Sequence, residues 1–352
     1  MRILLLFLLS LSGRYEGPVT IELSPLPPPS DNLAVPDMYI PPMMSLPGEP
    51  QPQGSNLERW NYQRDGSTGI PGDNTITSFQ GIFFTGWFPP DVQIAAGPGY
   101  VGEVVNSNIA FYDTLGNLLY SNTLYNFFSP LSPSNNFIFD PKIAYDPQGG
   151  RWLVLALQQN SGISESNYYL AVSQSSNPLG SWYYYALDAT LDGSTPSNNW
   201  ADYPGLGFND WGIFITSNQF DWNGSFSYPK LRVLDKAAAY NGTLNSWQDF
   251  WNLAYSSSWK PAQCLTSSQT EYILRSYWNG SSYIYGWKVT GSAASPSLST
   301  RYDIPVAPYT PPPNASQYGG SIALNSGDAR MQDVTYKDGF IFGTLGEENP
   351  FY

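Results

Sequence analysis

The chain has 352 residues, of which 41% are hydrophobic, 16% aromatic and only 12% charged, with a formal net charge of −13. That acidity excludes a nucleic-acid partner, since no basic stripe exists to displace counterions from phosphate, and it argues against an anionic membrane surface. The lack of histidine and the single cysteine, Cys264, exclude a His/Cys zinc centre, a Ser-His-Asp triad, His-ligated haem and an internal disulfide.

Residues 1–12 open with Met1-Arg2, continue through the apolar run Ile3 to Leu9 and end in small residues before Gly13. This is the pattern of a signal peptide, too short to span a bilayer, and it predicts a secreted or cell-surface protein. Residues 13–74 are a different material. Pro25, Pro27, Pro28, Pro29, Pro36, Pro41, Pro42, Pro47, Pro50 and Pro52 favour polyproline II, so the segment reads as an extended linker or as an arm reaching a neighbouring subunit.

From residue 75 to residue 352 strand signals are nearly continuous, and they repeat. Units near 91–128, 138–188, 200–250, 260–305 and 328–352 each run strand, turn, strand in the same order. A unit of that length is what a four-stranded propeller blade needs, and blades must stack because none can bury both faces alone. Asn223-Gly224, Asn279-Gly280 and Asp338-Gly339 supply the φ > 0 positions of hairpin turns. The predicted fold is therefore all-β, a β-propeller of four-stranded antiparallel blades, preferred over a sandwich. The fifth unit stops after its second strand; Ile76–Trp87 is expected to offer one closing strand, and either further chain or a partner would supply the rest.

Pro89-Pro90-Asp91 to Gly97-Pro98, Val105-Asn106-Ser107, Phe139 to Asp146 with Arg151-Trp152, and Asn177 to Trp182 form a recurring set of cues. Asp202-Tyr203-Pro204-Gly205-Leu206-Gly207, Val233 to Ala238 and Ala329 to Val334 extend it. Together they resemble the large secreted or surface-associated propeller proteins of bacteria and archaea, over about Phe79 to Gly343. The resemblance implies the propeller and little about activity. A weaker, turn-level similarity to sialidase-like and five-bladed glycoside hydrolase propellers rests on Asp146-Pro147-Gln148-Gly149-Gly150-Arg151-Trp152, a loosened Asp-box whose role in those enzymes is structural.

The first strand of each blade lines the central channel, so Asp91, Asp140, Asp202 and Asp333 are expected to ring one mouth, with Arg330 close by. Crowded carboxylates raise one another's pKa, as glycoside hydrolysis requires; the same ring suits Ca²⁺; and aspartates beside prolines also serve simply as loop caps. All three readings remain open at this stage, and Gln263 breaks the pattern in the fourth unit. No other cofactor or metal is expected. A sialidase needs three convergent arginines, and Arg151, Arg232 and Arg275 follow no such placement. The run Trp182-Tyr183-Tyr184-Tyr185 is expected to pack between blades or to present rings to sugars or to a partner, and Asn223, Asn241, Asn279 and Asn314 stand in glycosylation sequons.

The leading functional expectation is a non-catalytic extracellular module for adhesion, polymer binding or assembly. A fibre or surface-layer subunit is its definite version, with an extracellular polysaccharide, a protein surface or a second copy as partner. The alternative is a carbohydrate-active enzyme with its acid and base among the mouth carboxylates.

Overall fold

The computed structural model describes the backbone of residues 19–22 and residues 79–253, 257–316 and 323–347. The predicted signal peptide and most of the predicted linker lie outside the described residues. Within that linker, β1 (Val19–Glu22) adds antiparallel to the outer edge of the second blade, Val19 opposite Tyr184.

The rest is a β-propeller. Blade 1 is β2 (Gln93–Gly97), β3 (Tyr100–Val105), β4 (Asn108–Asp113) and β5 (Leu118–Thr123), each antiparallel to the next. Blade 2 is β6 (Ile138–Asp146), β7 (Arg151–Asn160), β8 (Glu165–Ser173) and β9 (Ser181–Asp188). A small hairpin, β10 (Leu191–Asp192) with β11 (Thr195–Pro196), leads to blade 3: β12 (Asn199–Phe208), β13 (Gly212–Asp221), β14 (Phe226–Asp235) and β15 (Trp247–Phe250). Blade 4 begins with a broken inner strand, β16 (Lys260–Pro261) and β17 (Gln263–Cys264). It continues through β18 (Glu271–Arg275), β19 (Ser281–Ser292), β20 (Ser295–Leu298) and β21 (Tyr302–Tyr309). Blade 5 has two strands among the described residues, β22 (Met331–Lys337) and β23 (Phe340–Leu345).

The hairpins follow the turn chemistry. Gly224 and Gly280 take φ of 87° and 89°, and Asp338-Gly339 places both residues at positive φ, the signature of a type I′ turn. Four hydrophobic cores hold the blades, one at each contact of consecutive blades. Val104, Phe111, Trp152 and Trp182 lie between blades 1 and 2, and Leu155, Tyr185, Phe208 and Ile215 between blades 2 and 3. Trp259 stacks on Trp287 at 4.1 Å between blades 3 and 4, and Cys264, Leu274 and Met331 fill the contact of blades 4 and 5. Among the described residues no such core joins blade 5 to blade 1.

One expectation needs correction, and the expected packing of the Trp182–Tyr185 run between blades is met. Phe79–Trp87 forms no strand; with Gly81 and a positive-φ Gly86 ahead of Pro89-Pro90, it runs irregularly along blade 1, Phe79 against Tyr112 and the Ile82 N–H on Glu103. No ring of the Trp182–Tyr185 run stands out in solvent. Trp182 and Tyr184 point to blade 1, Tyr185 to blade 3, and Tyr183 packs half-buried against that second core. Period-two alternation in a strand covered on both faces buries every position.

Candidate functional site

At one end of the inner strands the backbone breaks its ladder in the same way twice. Register shifts fall between Phe139 and Lys142 in β6 and between Asp202 and Gly205 in β12. Both contain a proline, Pro141 or Pro204, which has no N–H to give the ladder, so a bulge forms and re-aims the residue before it. Asp140 (φ 49°), Tyr203 (φ 50°) and, just ahead of β2, Asp91 (φ 45°) occupy the left-handed region at this mouth. Non-glycine residues so placed cost of order 1 kcal/mol each and persist where surrounding contacts hold them, typically at functional sites.

The three carboxyls meet. Asp91 hydrogen-bonds Asp140 side chain to side chain, and Asp140 does the same with Asp202. Asn106, 2% exposed, stitches the set together: its Nδ2 donates to Asp91 Oδ2 at 2.7 Å and to the Pro89 carbonyl at 3.1 Å, and its Oδ1 accepts the Asp140 N–H at 2.7 Å. The Tyr203 N–H donates to Asp140 Oδ2 at 3.2 Å.

Burial, then the charge and hydrogen bond of Asp140, push Asp91 up to about 7. Burial, then the charge of Asp202, raise Asp140 to about 6, and burial raises Asp202 to about 6 against the pull of the Tyr203 N–H, Asp140 and Arg330. Near neutral pH the group therefore holds some of its protons and some of its charge. Such a set titrates as a unit.

Cations complete the mouth. Lys260 is buried, donates to the Pro204 carbonyl at 2.8 Å and lies 3.8 Å from the centre of the Tyr203 ring. Burial and the neighbouring Lys142 hold its ammonium well below the usual lysine range. Arg330 sits 4.6 Å from the same ring and pairs through Nε with Asp328 at 2.8 Å. Lys142, half-buried on β6, acts electrostatically on Asp91, Asp140 and Lys260.

Of the predicted mouth residues, then, Asp91, Asp140, Asp202 and Arg330 come together, and Asp333 stands at the rim, within electrostatic reach of Lys260. Asp333 is exposed beside a bulge in β22, and the Asp328–Arg330 pair lies against Tyr203 instead. In blade 4 the counterpart is Lys260 rather than Gln263, because the inner strand starts earlier than expected. Gln263 sits deeper, in a short parallel ladder from Phe208 through Gln263 to Thr335, and the Gln148 amide donates to the Cys264 carbonyl at 3.4 Å. Asn106, Lys142, Tyr203, Lys260 and Asp328 were missed. A usable signal existed for two of them: Lys260-Pro261 repeats Asp140-Pro141, and Tyr203 separates Asp202 from Pro204.

Asp146 of the loosened Asp-box is buried, accepts the Gln148 and Gly149 N–H groups and the Tyr240 hydroxyl, and pairs with Lys236 at 2.6 Å, all structural tasks. Arg151, Arg232 and Arg275 do not converge: Arg151 holds the Gly149 and Gly150 carbonyls, Arg232 pairs with Asp249, and Arg275 bonds the Ser257 carbonyl. Asn223, Asn241, Asn279 and Asn314 are all exposed. No helix among the described residues is long and apolar enough to cross a membrane, and among those residues no group of three His, Cys, Asp or Glu side chains is arranged to hold a metal ion.

No protein-family model and no curated protein sequence matches the chain. Among solved structures, it is similar to an exo-β-1,3-galactanase from Clostridium thermocellum, at 15% identity over 68% of this chain and 53% of that one, with a TM-score of 0.36. A GH43 endo-arabinanase from Bacillus licheniformis aligns at 14% identity over 69% of this chain and 82% of its own, with a TM-score of 0.35. The β-propeller domain of the Trilobed protease from Pyrococcus furiosus, described as having an open velcro topology, aligns at 12% identity over 73% and 78%, with a TM-score of 0.36. The chain spans about half the length of the galactanases it matches.

Proposed function

We propose that the chain is a glycoside hydrolase-like enzyme whose acid–base chemistry is carried by Asp91, Asp140 and Asp202. The observation that carries this reading is the hydrogen-bonded carboxyl set raised to about 7, 6 and 6 at one channel mouth. A general acid must keep its proton at working pH, and Asp91, the highest of the three, is suited to protonate the leaving glycosidic oxygen. Asp202, drawn toward its charged form by the Tyr203 N–H and Arg330, is suited to take a proton from water as that water adds to the anomeric carbon. Asp140 is the positioning residue between them. An acid and a base in direct contact leave no room for the scissile oxygen, and Asp140 prevents that contact.

The test is a panel of aryl glycosides with the wild type, Asp91→Asn and Asp202→Asn. Each variant should lose about 10²–10⁴-fold in kcat while unfolding at a temperature close to the wild type. Undiminished rates in both variants would remove the assignment, and a wild type inert on the whole panel would remove the hydrolase reading. The rate should peak between about pH 6 and 7, because below that range the base is protonated and above it the acid is not.

A second reading, an extracellular assembly subunit, is favoured by one observation: the edge of β9 accepts β1 as an added strand, an edge that the same strand from another copy would fit equally. A strictly monomeric chain at all concentrations would remove it. The leader-like segment of residues 1–12 supports a place outside the cell for either reading.

A further inference from the structure

We infer that the mouth takes an anionic sugar, a uronate, whose carboxylate is read by Arg330 and Lys142. The inference rests on the hydrolase reading and adds its substrate class. The chain has only 15 lysines and arginines against 28 acidic residues. Cations are therefore scarce, and most of those inside the fold are committed: Lys230 to Asp192, Arg232 to Asp249, Lys236 to Asp146, and Lys260 to the Pro204 carbonyl. Lys142 and Arg330 differ from these.

Arg330 pairs with Asp328 through Nε, Nη1 and Nη2 have no hydrogen-bond partner among the described residues, and its side chain is 31% exposed. Stacking over Tyr203 fixes the plane of the guanidinium, and Tyr203 is itself fixed from its neighbouring side by Lys260. A guanidinium held flat with two outward N–H groups fits a carboxylate through two parallel hydrogen bonds. Lys142, half-buried, makes neither hydrogen bond nor ion pair among the described residues, yet stands within electrostatic reach of Asp91 and Asp140. An ammonium that makes no direct pair can take a bound carboxylate without breaking an existing contact. Neutral sugars offer neither group a charge to pair with. The mouth thus combines three carboxyls for the chemistry with Lys142 and the two terminal nitrogens of Arg330, which its pair with Asp328 leaves free, an arrangement that a neutral hexose would leave unused.

The experiment measures binding and turnover side by side. Titration calorimetry of Asp91→Asn with galacturonic acid and with galactose, at low ionic strength, should show the acid binding at least tenfold more tightly. Arg330→Gln and, independently, Lys142→Met should each reduce that preference about tenfold, and 0.5 M NaCl should weaken it. Equal affinity for the two sugars, or a preference that survives both substitutions, overturns the inference. On the wild type, aryl galacturonides and glucuronides should be cleaved faster than aryl galactosides and glucosides. Cleavage of neutral glycosides without a uronide preference sinks this inference alone, whereas no cleavage of any glycoside sinks the hydrolase reading beneath it.

Discussion

The contact of blades 2 and 3 and the exposed apolar sides of blades 5 and 1 are built from the same kind of strand and have opposite fates. Between blades 2 and 3, Leu155, Leu170, Tyr185, Phe208 and Ile215 are fully buried, and even Arg232 is enclosed with Asp249 and lies 4.2 Å from the Trp247 ring centre. On blade 1, Ile94 is 69% exposed; on blade 5, Phe340 and Phe342 are 60% and 58% exposed. A blade is amphipathic only by virtue of its neighbour. Where a neighbour is present, apolar positions on both faces become core; where none packs, the same residue types stay wet.

The comparison breaks first at the buried ion pair. Arg232→Ala should destabilise by about 3–5 kcal/mol in denaturant unfolding, because it leaves Asp249 buried and uncompensated. Trp182→Ala, which empties the aromatic cluster between blades 1 and 2, should cost about 3–5 kcal/mol by the same measurement. At blade 5, Phe342→Ser should change stability by less than about 0.5 kcal/mol and improve solubility. A loss there comparable to that of Trp182→Ala would mean that the face of blade 5 is covered in solution.

The mouth lies between these extremes, as a place where burial works against stability. Asp140 is raised from 3.8 to about 6 in the folded chain, so folding favours its protonated form. Its contribution is harmless below about pH 4 and becomes a penalty as pH rises through 6. Asp140→Asn should therefore stabilise the protein at pH 8 by up to about 3 kcal/mol and do little at pH 4, read as the difference between the two unfolding curves. Function should move the other way, since Asp140 positions the acid and the base. Of the effects on stability, the smallest is expected at Glu271, which is buried beside Cys264 with its pKa driven well above the usual carboxylate range by burial. Glu271→Gln should be the mildest of the set, because burial already disfavours the ionised carboxyl that the amide replaces.

How much of this was legible in the sequence follows from what each signal measures. The blades were legible because strand alternation and Asn-Gly or Asp-Gly turns are local, and Gly224, Gly280 and Gly339 adopt the required φ. Asp91, Asp140 and Asp202 were legible as a set because each stands at the start of an inner strand next to a proline or one residue from it. Asp333 stands apart from those three, at the rim beside Lys260, because one bulge in β22 turns the residue out, and no local cue announces a bulge without a proline. Asn106, Lys142 and Lys260 were hidden for another reason. Their roles depend on which strands the ring brings together: Asn106 bridges blades 1 and 2, and Lys260 of blade 4 reaches the Pro204 carbonyl of blade 3. The fate of Ile94 and Phe342 was equally hidden, since an apolar strand face reads the same whether or not a neighbour covers it.

The most direct test is a ¹³C NMR titration of the aspartate carboxyl carbons, assigned by comparison with Asp91→Asn, Asp140→Asn and Asp202→Asn. The account predicts one mouth carboxyl titrating near pH 7 and two near pH 6, with Asp91 falling and Asp202 rising when Asp140 is replaced. Three mouth carboxyls titrating at or below about pH 4, independently of one another, would contradict it.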